Sequence, residues 1–262
     1  MSGEPILLFD TADGSVSALI RASDLVVAHA GLRVAVIGGL AVTCRLAAAH
    51  RPTQDVDVVA ESASAVEVAG SRTAAENLIK AGVAALDSGS TSIRLYVGPT
   101  TVEIIETEHI GPSDSANVEP ERARLFVLSH RWGLESASDV VISVVGNDVR
   151  TTVPVATSAA LVAMKLHSIQ SRIEDRKRAS DAWDIFGLLE AHNASGEIGA
   201  AIVAGPEGLG SLVTSAIDRV FRTDVTRTRR WVQGYGEPLW IQRMTDAALV
   251  GLATELIDSL EI

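Results

Sequence analysis

Residues 32 to 60 contain the pattern that most restricts the fold of this chain. LRVAVIG (32–38) is short, apolar and rich in β-branched residues, which indicates a buried strand. Gly38-Gly39 ends that strand, and LAVTCRLAAAH (40–50) places leucine and alanine at helical spacing. QDVDVVA (54–60) then alternates carboxylates with valines, which is the period of a strand. A strand, a glycine break, a helix and a second strand in close succession predict an α/β core.

The rest of the chain falls into two parts. We predict a mixed-sheet core in residues 1–155 and a helical domain, packed on that core, in residues 156–262. In the first part the patterns predict helices at 17–30, with Ser17 as N-cap, and at 71–85, and extended segments at 92–97, 101–106, 124–129, 139–145 and 150–155. In the second part helical spacing predicts helices at 157–173, 178–192, 196–204, 207–222 and 238–260.

The composition is that of a globular protein. Hydrophobic residues make up 47% of the 262, which is too many for a disordered chain. No apolar run approaches the roughly 18 residues that cross a bilayer, so we expect no membrane partner. MSGEPILLFD lacks the basic and apolar regions of an export signal, and the single cysteine, Cys44, cannot form an internal disulfide. These features predict a cytoplasmic protein.

Basic residues are clustered against an acidic background. The net charge of −11 argues against a surface built wholesale for nucleic acid. Solvated helix faces or a local groove for phosphate would both explain the clusters, and two tryptophans, Trp183 and Trp231, could stack a base or pack in a core. The clusters are Arg172, Arg176, Lys177 and Arg178, and Arg219, Arg222, Arg227, Arg229 and Arg230.

Asp55 and Asp57 are the residues from which we infer chemistry. Side chains two residues apart in a strand share a face, so these carboxylates can converge on one cation while Val56 faces the core. Carboxylate oxygens are the ligands that Mg²⁺ prefers, with Mn²⁺ as an alternative. Surface strands with alternating acids are common, so the pair alone is weak evidence. A third acid would strengthen the assignment, and Glu103 and Glu106 compete for that position.

The glycines before the helix suit an anion. Because Gly38 and Gly39 have no side chains, backbone N–H groups there can approach a triphosphate, and a helix N-terminus favours negative charge. The strand with the paired aspartates follows about fifteen residues later. The two features together predict an Mg²⁺–nucleotide site.

Two blocks of the chain resemble a known family. VIGGLAVTCRLAAAHRPTQDVDVV resembles the G-G-x-A…R-x-T-x-D-[IV]-D signature of the AbiEii/AbiGii-type nucleotidyltransferases, which include the MenT toxins and belong to the DNA polymerase-β-like superfamily. MKLHSIQSRIEDRKRASDAWDI is similar to the family's K-[LM]…R…[KR]-x-x-D-x-x-D-[LI] helix pair. The resemblance covers roughly residues 30–190. The matching positions are Arg51, Thr53, Asp55 and Asp57 in the first block, and Lys165, Arg172, Asp181 and Asp184 in the second.

The resemblance implies a fold and a set of site residues. The fold is the polymerase-β-like nucleotidyltransferase fold, α/β (α+β) with a mixed sheet, followed by a helical C-terminal part that contributes to the active site. Three of these residues also have a simpler explanation. Asp184 could be structural, Thr53 could be a turn residue and Lys165 could be an ordinary surface lysine. The implied catalytic residues are Asp55, Asp57, Lys165 and Asp181; the nucleotide-binding residues are Gly38, Gly39, Thr53, Lys165 and Arg172; and the metal ligands are Asp55, Asp57 and Glu103.

Two positions depart from the family pattern. Glu103 stands where an aspartate is more usual, and its carboxylate reaches about one bond further. Ala179-Ser180 precede Asp181 where a basic residue is often found, while Lys177-Arg178 lie slightly earlier. Which of the basic side chains would meet phosphate therefore stays open.

The resemblance implies transfer of a nucleoside monophosphate (NMP) from a nucleoside triphosphate (NTP) to an acceptor. For the MenT branch the implied acceptor is the 3′ end of tRNA, and the implied role is that of a toxin with a cognate antitoxin protein. Two alternatives remain at this stage. The acceptor could be a small molecule or a protein hydroxyl, which suits an acidic protein with a pI of about 5.0. A non-catalytic relative that binds nucleotide is the other, although the intact acids argue against it.

Overall fold

The computed structural model describes residues 4–48, 50–61, 70–88, 93–106 and 121–261. The chain divides into two compact units, Met1–His109 with Gly133–Thr157, and Ile110–Trp132 with Ser158–Ile262. The break at Thr157 lies close to the predicted boundary at residue 155. Ala49, within the helix predicted at 40–50, and Ser92, the first residue of the extended segment predicted at 92–97, lie outside the described residues.

The first unit is built on a mixed sheet, as the sequence predicts. Its described residues contribute eight strands in the order β1-β7-β8-β2-β3-β6-β5-β4. The pairs β1/β7, β8/β2 and β3/β6 are parallel and the others antiparallel. The strands are β1 (Ile6–Phe9), β2 (Val34–Ile37), β3 (Asp55–Ala60), β4 (Ala85–Leu86), β5 (Arg94–Val97), β6 (Thr100–Glu106), β7 (Ser138–Val145) and β8 (Val149–Val155).

Three helices of this unit pack on the sheet. They are α1 (Ser15–His29), α2 (Gly38–Leu46) and α3 (Gly70–Lys80). All four residues of β2 are buried, which explains why its sequence is a continuous apolar run rather than an alternation. The glycine and proline between the extended segments at 92–97 and 101–106 predict a hairpin with its turn at Gly98-Pro99-Thr100. β5 and β6 form that hairpin, but its turn has only two residues, Gly98-Pro99, because Thr100 already pairs with Val97.

The predicted start of the first helix was wrong. The helix α1 begins at Ser15 after Gly14, which has a φ of 72°, so Ser17 lies inside it. The Ser17 hydroxyl instead donates to Asp10 Oδ2 at 2.6 Å. A serine that bonds a nearby carboxylate resembles an N-cap in sequence but satisfies no backbone group. The helix ends as predicted, with Gly31 just beyond Ala30 at a φ of 71°.

The extended segment predicted at 124–129 was also wrong, because these residues lie within a helix, α4 (Glu121–Glu135). Its residues up to Trp132 belong to the second unit. The run LFVL is too short for its periodicity to distinguish a strand from a helix. Helical spacing is visible only when Leu125, Leu128 and Ser129, all buried, are considered together.

The described part of the second unit is helical. Residues 238–260, predicted as one helix, form two, because Thr245 caps the second by accepting from Ala248 N at 3.2 Å. A helix at 225–235 was not predicted. After α4 the elements are α5 (Ser158–Ser171), α6 (Asp175–His192), α7 (Glu197–Val203), α8 (Leu209–Ile217), a π-helical segment (Asp218–Thr223), α9 (Val225–Tyr235), α10 (Pro238–Arg243) and α11 (Asp246–Leu260).

Within the described ranges, the helices are all too short or too polar to span a bilayer.

The contact between α7 and α11 provides a test of the packing. A Cβ at Gly199 would lie 2.6 Å from Ser259 Cβ and 3.0 Å from the Ser259 backbone carbon, so α11 would have to shift. We expect Gly199→Ala to reduce the free energy of unfolding by about 1–3 kcal/mol. Gly251→Ala, in α11 itself, has nothing within 4 Å of its new Cβ and should raise stability instead. Urea denaturation of both variants measures this difference, and equal stabilities would contradict the packing.

Candidate active site

The strand β3 presents its two aspartates on one face. Asp55 is exposed and Asp57 half-buried, while Val56 and Val58 between and beyond them are fully buried. This alternation follows from the pleat of a strand whose valines pack in the core. The carboxylates therefore lie on the more accessible face of the sheet.

The register of the sheet distinguishes the two candidates for the third acid. Asp57 pairs with Glu103 on the parallel neighbour β6, so these two side chains share a face. Glu106 pairs with Ala60 and points to the opposite face, since it is three residues from Glu103. Its carboxylate accepts from Gly70 N at 2.9 Å and Ser71 Oγ at 3.2 Å, at the start of α3. Geometry thus favours Glu103.

Arg94 is a neighbour of this acid that the sequence analysis missed. It pairs with Glu103 across β5 and β6, and its Nη2 lies 3.4 Å from Glu103 Oε2. The signal was present in the hairpin. A two-residue turn at 98–99 pairs Val97 with Thr100, and counting outward from that pair places Arg94 opposite Glu103.

The glycine turn lies against Asp57. Ile37, the last residue of β2, pairs with Asp57 in the antiparallel register, and α2 begins at the next residue, Gly38. Gly38 has a φ of 70°, and a Cβ there would lie only 2.0 Å from Asp57 Oδ2. A side chain is therefore excluded both by backbone conformation and by space. Glycine allows the first turn of α2 to approach this carboxylate.

Polar groups also flank the second glycine. A Cβ at Gly39 would lie 2.9 Å from Arg51 Nη2 and 3.0 Å from Thr53 Oγ1. The Thr53 hydroxyl donates a hydrogen bond to Asp55 Oδ1 at 3.3 Å. Ile37, the N-cap of α2, has no polar side chain with which to satisfy the first backbone N–H groups. A helix N-terminus beside a guanidinium and a hydroxyl is suited to an anion.

The donor set suits a divalent cation in chemistry and in strand position. Asp55, Asp57 and Glu103 supply hard oxygen ligands on adjoining strands. Within the described ranges, however, no three histidine, cysteine, aspartate or glutamate side chains are grouped closely enough to hold a metal ion. The three carboxylates share a face without being drawn together around one point.

The other predicted site residues form a buried ionic network in the second unit. Lys165, with a side chain only 6% exposed, places its ammonium 2.9 Å from Asp181 Oδ1 and 2.7 Å from Asp184 Oδ2. Arg172 donates from Nε to Asp181 Oδ2 at 2.6 Å. Two cations thus neutralise two carboxylates, which is the condition under which charges are tolerated in a core. Arg172, with a side chain 37% exposed, is the member that reaches solvent.

Two histidines lie beside this network. His130 is buried, and its Nδ1 lies 2.8 Å from the Phe126 carbonyl oxygen, a distance that fits donation from Nδ1. Burial lowers the pKa of His130 to about 4, with a smaller effect from His167. Burial also lowers the pKa of His167 to about 4, assisted by the positive charges of Arg122 and Arg172. Both rings are therefore neutral at pH 7.

Trp183 has a structural role. It is 3% exposed and stacks with Phe186 and Trp240, at centroid distances of 5.6 and 5.4 Å. Arg229 is structural as well, because its Nη1 donates to the carbonyl oxygens of Ile241 at 2.6 Å and Met244 at 2.8 Å.

Comparison with known proteins identifies the class. Residues 22–205 match the family model described as nucleotidyl transferase AbiEii toxin, type IV toxin–antitoxin system. The match places the chain among the nucleotidyltransferases. Because it spans more than half of the 262 residues, the chain belongs to the AbiEii nucleotidyltransferase toxin family. The family implies a nucleoside triphosphate as substrate and an antitoxin as partner.

No curated protein matches the chain. Among solved structures, the chain is similar to an antigenic nucleotidyltransferase-like protein from Paracoccidioides brasiliensis, with 15% sequence identity and a TM-score of 0.47. That similarity covers 84% of this chain and 93% of the other.

The buried position of Lys165 leads to a prediction of stability. We expect Lys165→Met to reduce the free energy of unfolding by about 3–5 kcal/mol, because it leaves Asp181 and Asp184 without their shared cation. Lys177→Met is the matched control, since its ammonium is exposed and lies 3.5 Å from Glu174. Chemical denaturation should detect the first loss and little change in the control. Equal effects would show that the Lys165 network is not important for stability.

The two histidines predict a loss of stability in acid. Below pH 6.5 the unfolded chain takes up protons on these histidines, whereas the folded chain does so only near pH 4. Stability should therefore fall with pH from about 6.5 to 4, by roughly 1 kcal/mol per pH unit for each histidine. His130→Asn should flatten this dependence, and His29→Asn, at an exposed histidine, should not. Thermal unfolding at several pH values measures it, and equal slopes in both variants would contradict the assignment.

Proposed function

We propose that the chain transfers an NMP from an NTP to the 3′ end of tRNA, as the toxin of a toxin–antitoxin pair. One observation carries the proposal: Asp57 lies opposite Glu103 and against Gly38 at the start of α2. This arrangement puts a pair of carboxylates, which would bind Mg²⁺, next to an uncapped helix N-terminus, which would bind the phosphates of a nucleotide. Membership of the AbiEii family supports the same chemistry.

The first turn of α2 would bind the triphosphate. Gly38 and Gly39 place no side chain beside their backbone N–H groups, and the helix dipole favours the negative charge of a triphosphate. Arg51 and Thr53 adjoin Gly39 and would add a cation and a hydroxyl donor. Attack of an acceptor hydroxyl on the α-phosphorus forms the new phosphodiester bond, breaks the bond to the β-phosphate and releases pyrophosphate.

Asp55, Asp57 and Glu103 would hold Mg²⁺, with Mn²⁺ as an alternative. When bound, such an ion neutralises phosphate charge and polarises the oxygens that react. The residues themselves would act by position. Asp57 is held by the register of β2 and β3, and Arg94 lies beside Glu103, where it orients that carboxylate.

In the second unit we propose that Lys165 and Arg172 bind the triphosphate and that Asp181 is the catalytic aspartate. The support is their mutual contact. Asp181 accepts from both cations, through separate carboxylate oxygens, and so fixes their positions. Asp184 shares the Lys165 ammonium and would keep the network neutral. Arg172 is the most exposed of the four and the best placed to meet a phosphate from solvent.

A small-molecule or protein acceptor is the second candidate. The net charge of −11 favours it, because an acidic protein attracts a cationic acceptor such as an amine. A non-catalytic role in nucleotide binding is the third. Incubation with each α-labelled NTP and Mg²⁺, with and without total tRNA, separates the three. Label in tRNA supports the proposal, label in another acceptor favours the second candidate, and no transfer favours the third.

Three carboxylate variants test the site within that assay. We expect Asp57→Asn to abolish transfer and Glu103→Gln to reduce it by about 100-fold or more, because each removes a charge from the proposed ligand set. Glu106→Gln should retain most activity, since that side chain serves the start of α3. Circular dichroism establishes that each variant is folded. Near-normal transfer by Asp57→Asn would reject the site. If Glu106→Gln loses transfer activity and Glu103→Gln does not, then Glu106 and not Glu103 is the third acid.

A further inference from the structure

Trp231 of α9 lies against two guanidinium groups. Arg178 Cζ is 5.0 Å and Arg227 Cζ is 5.4 Å from the centroid of its ring. These arginines come from the two basic clusters, which are far apart in sequence. The cation–π contacts restrict both side chains and hold the two guanidinium groups at the same ring. The two clusters therefore meet at Trp231, in the second unit.

Arg178, Arg227 and Trp231 line two adjoining hollows of that unit, of about 690 Å³ and about 430 Å³. We call these hollows together the basic cleft. Buried apolar side chains lie at the larger one, where Arg122 and Arg219 are exposed. Its volume lies within the usual range for small-molecule sites, roughly 300–1,000 Å³. The apolar side chains are Leu125, Ile169, Leu212, Ala216 and Val220.

Positive charge dominates the cleft although the chain is acidic. Glu121, Asp175 and Asp224 are the acids that line it, and Arg178 pairs with Asp175 at 2.8 Å. Arg178 Nε is nevertheless buried without a hydrogen-bond partner in the described structure. The lining arginines are Arg122, Arg178, Arg219, Arg227 and Arg230.

The π-helical segment positions Arg219 in the cleft. Such wide turns are rare and are frequently found at functional sites. Here Val220 and Phe221 stay buried while Arg219, between them and α8, is exposed. Thr228, fully buried, donates its hydroxyl to the Val220 carbonyl oxygen at 2.7 Å and so supports the irregular turn.

We propose that the basic cleft binds a single strand of RNA, with phosphates on the arginines and bases against the rings of Trp231 and Tyr235. This inference rests on the proposed function, in which RNA is the acceptor. In the described structure no ion pair engages Arg219, Arg227 or Arg230, so their charges can meet phosphates. Tyr235, 56% exposed, borders the smaller hollow and offers an aromatic ring on which a base can stack, and Ile173, 91% exposed, adds an apolar contact there. An acidic peptide would use the arginines but not these apolar surfaces.

Fluorescence anisotropy with a labelled single-stranded RNA of mixed sequence tests the cleft in the full-length chain, without NTP. We expect Arg219→Gln/Arg227→Gln to weaken binding by at least about tenfold. The slope of log K against log salt should fall by about 1.4, since each single-strand phosphate contact contributes roughly 0.7. Arg150→Gln, at an exposed arginine of β8, is the matched control and should bind as the wild type does.

Three outcomes would overturn the inference. They are absence of RNA binding by the wild type at low salt, equal binding by the double variant and the control, and equally tight competition by polyglutamate. In the last case the cleft would be a site for acidic peptides. Quenching of tryptophan fluorescence by unlabelled RNA should be lost in Trp231→Phe, which locates the RNA at this ring. Asp57→Asn should bind RNA normally, so that failure of transfer and failure of the cleft are distinguished.

Discussion

The approach of Gly38 to Asp57 is the contact on which the candidate site depends. The antiparallel register of β2 and β3 pairs Ile37 with Asp57. The next residue, Gly38, therefore lies close to that carboxylate, and the chain turns there into α2. Only glycine combines a φ of 70° with the absence of a Cβ. The direction of α2 and the position of the carboxylate beside its first turn both follow. The parallel register of β3 and β6 then sets Glu103 beside Asp57.

In the second unit, charge neutrality has the corresponding role. Lys165 on α5 is surrounded by Asp181 and Asp184 on α6, one helical turn apart on the same face. Neither the lysine nor the aspartates could be buried alone, because an unpaired charge in a core costs several kcal/mol. Arg172 completes the balance at Asp181. The spacing of the two aspartates therefore has a structural explanation that is independent of catalysis.

Sequence could predict the parts of the fold in which local pattern determines the outcome. The strands around Asp55 and Glu103, the hairpin at Gly98-Pro99 and the helical second part follow from periodicity and turn residues. The start of α1 and the helical state of residues 124–129 could not be predicted in this way. Ser17 and the run LFVL have local properties that fit two structures equally well. The meeting of Arg178 and Arg227 at Trp231 is not visible in sequence at all. It depends on the packing of α6 against α9, which no local pattern encodes.

The contrast between an acidic chain and a basic cleft is consistent with the physics of screening. At physiological salt the Debye length is about 8 Å, so a phosphate responds mainly to charges within one or two side-chain lengths. The net charge of −11 lowers attraction to nucleic acid at long range and excludes a uniformly basic surface. At the cleft, by contrast, the charges that count are five arginines and three acids. An RNA strand held there would depend on direct contacts rather than on the long-range electrostatic attraction of the whole protein. This favours selectivity over tight non-specific binding.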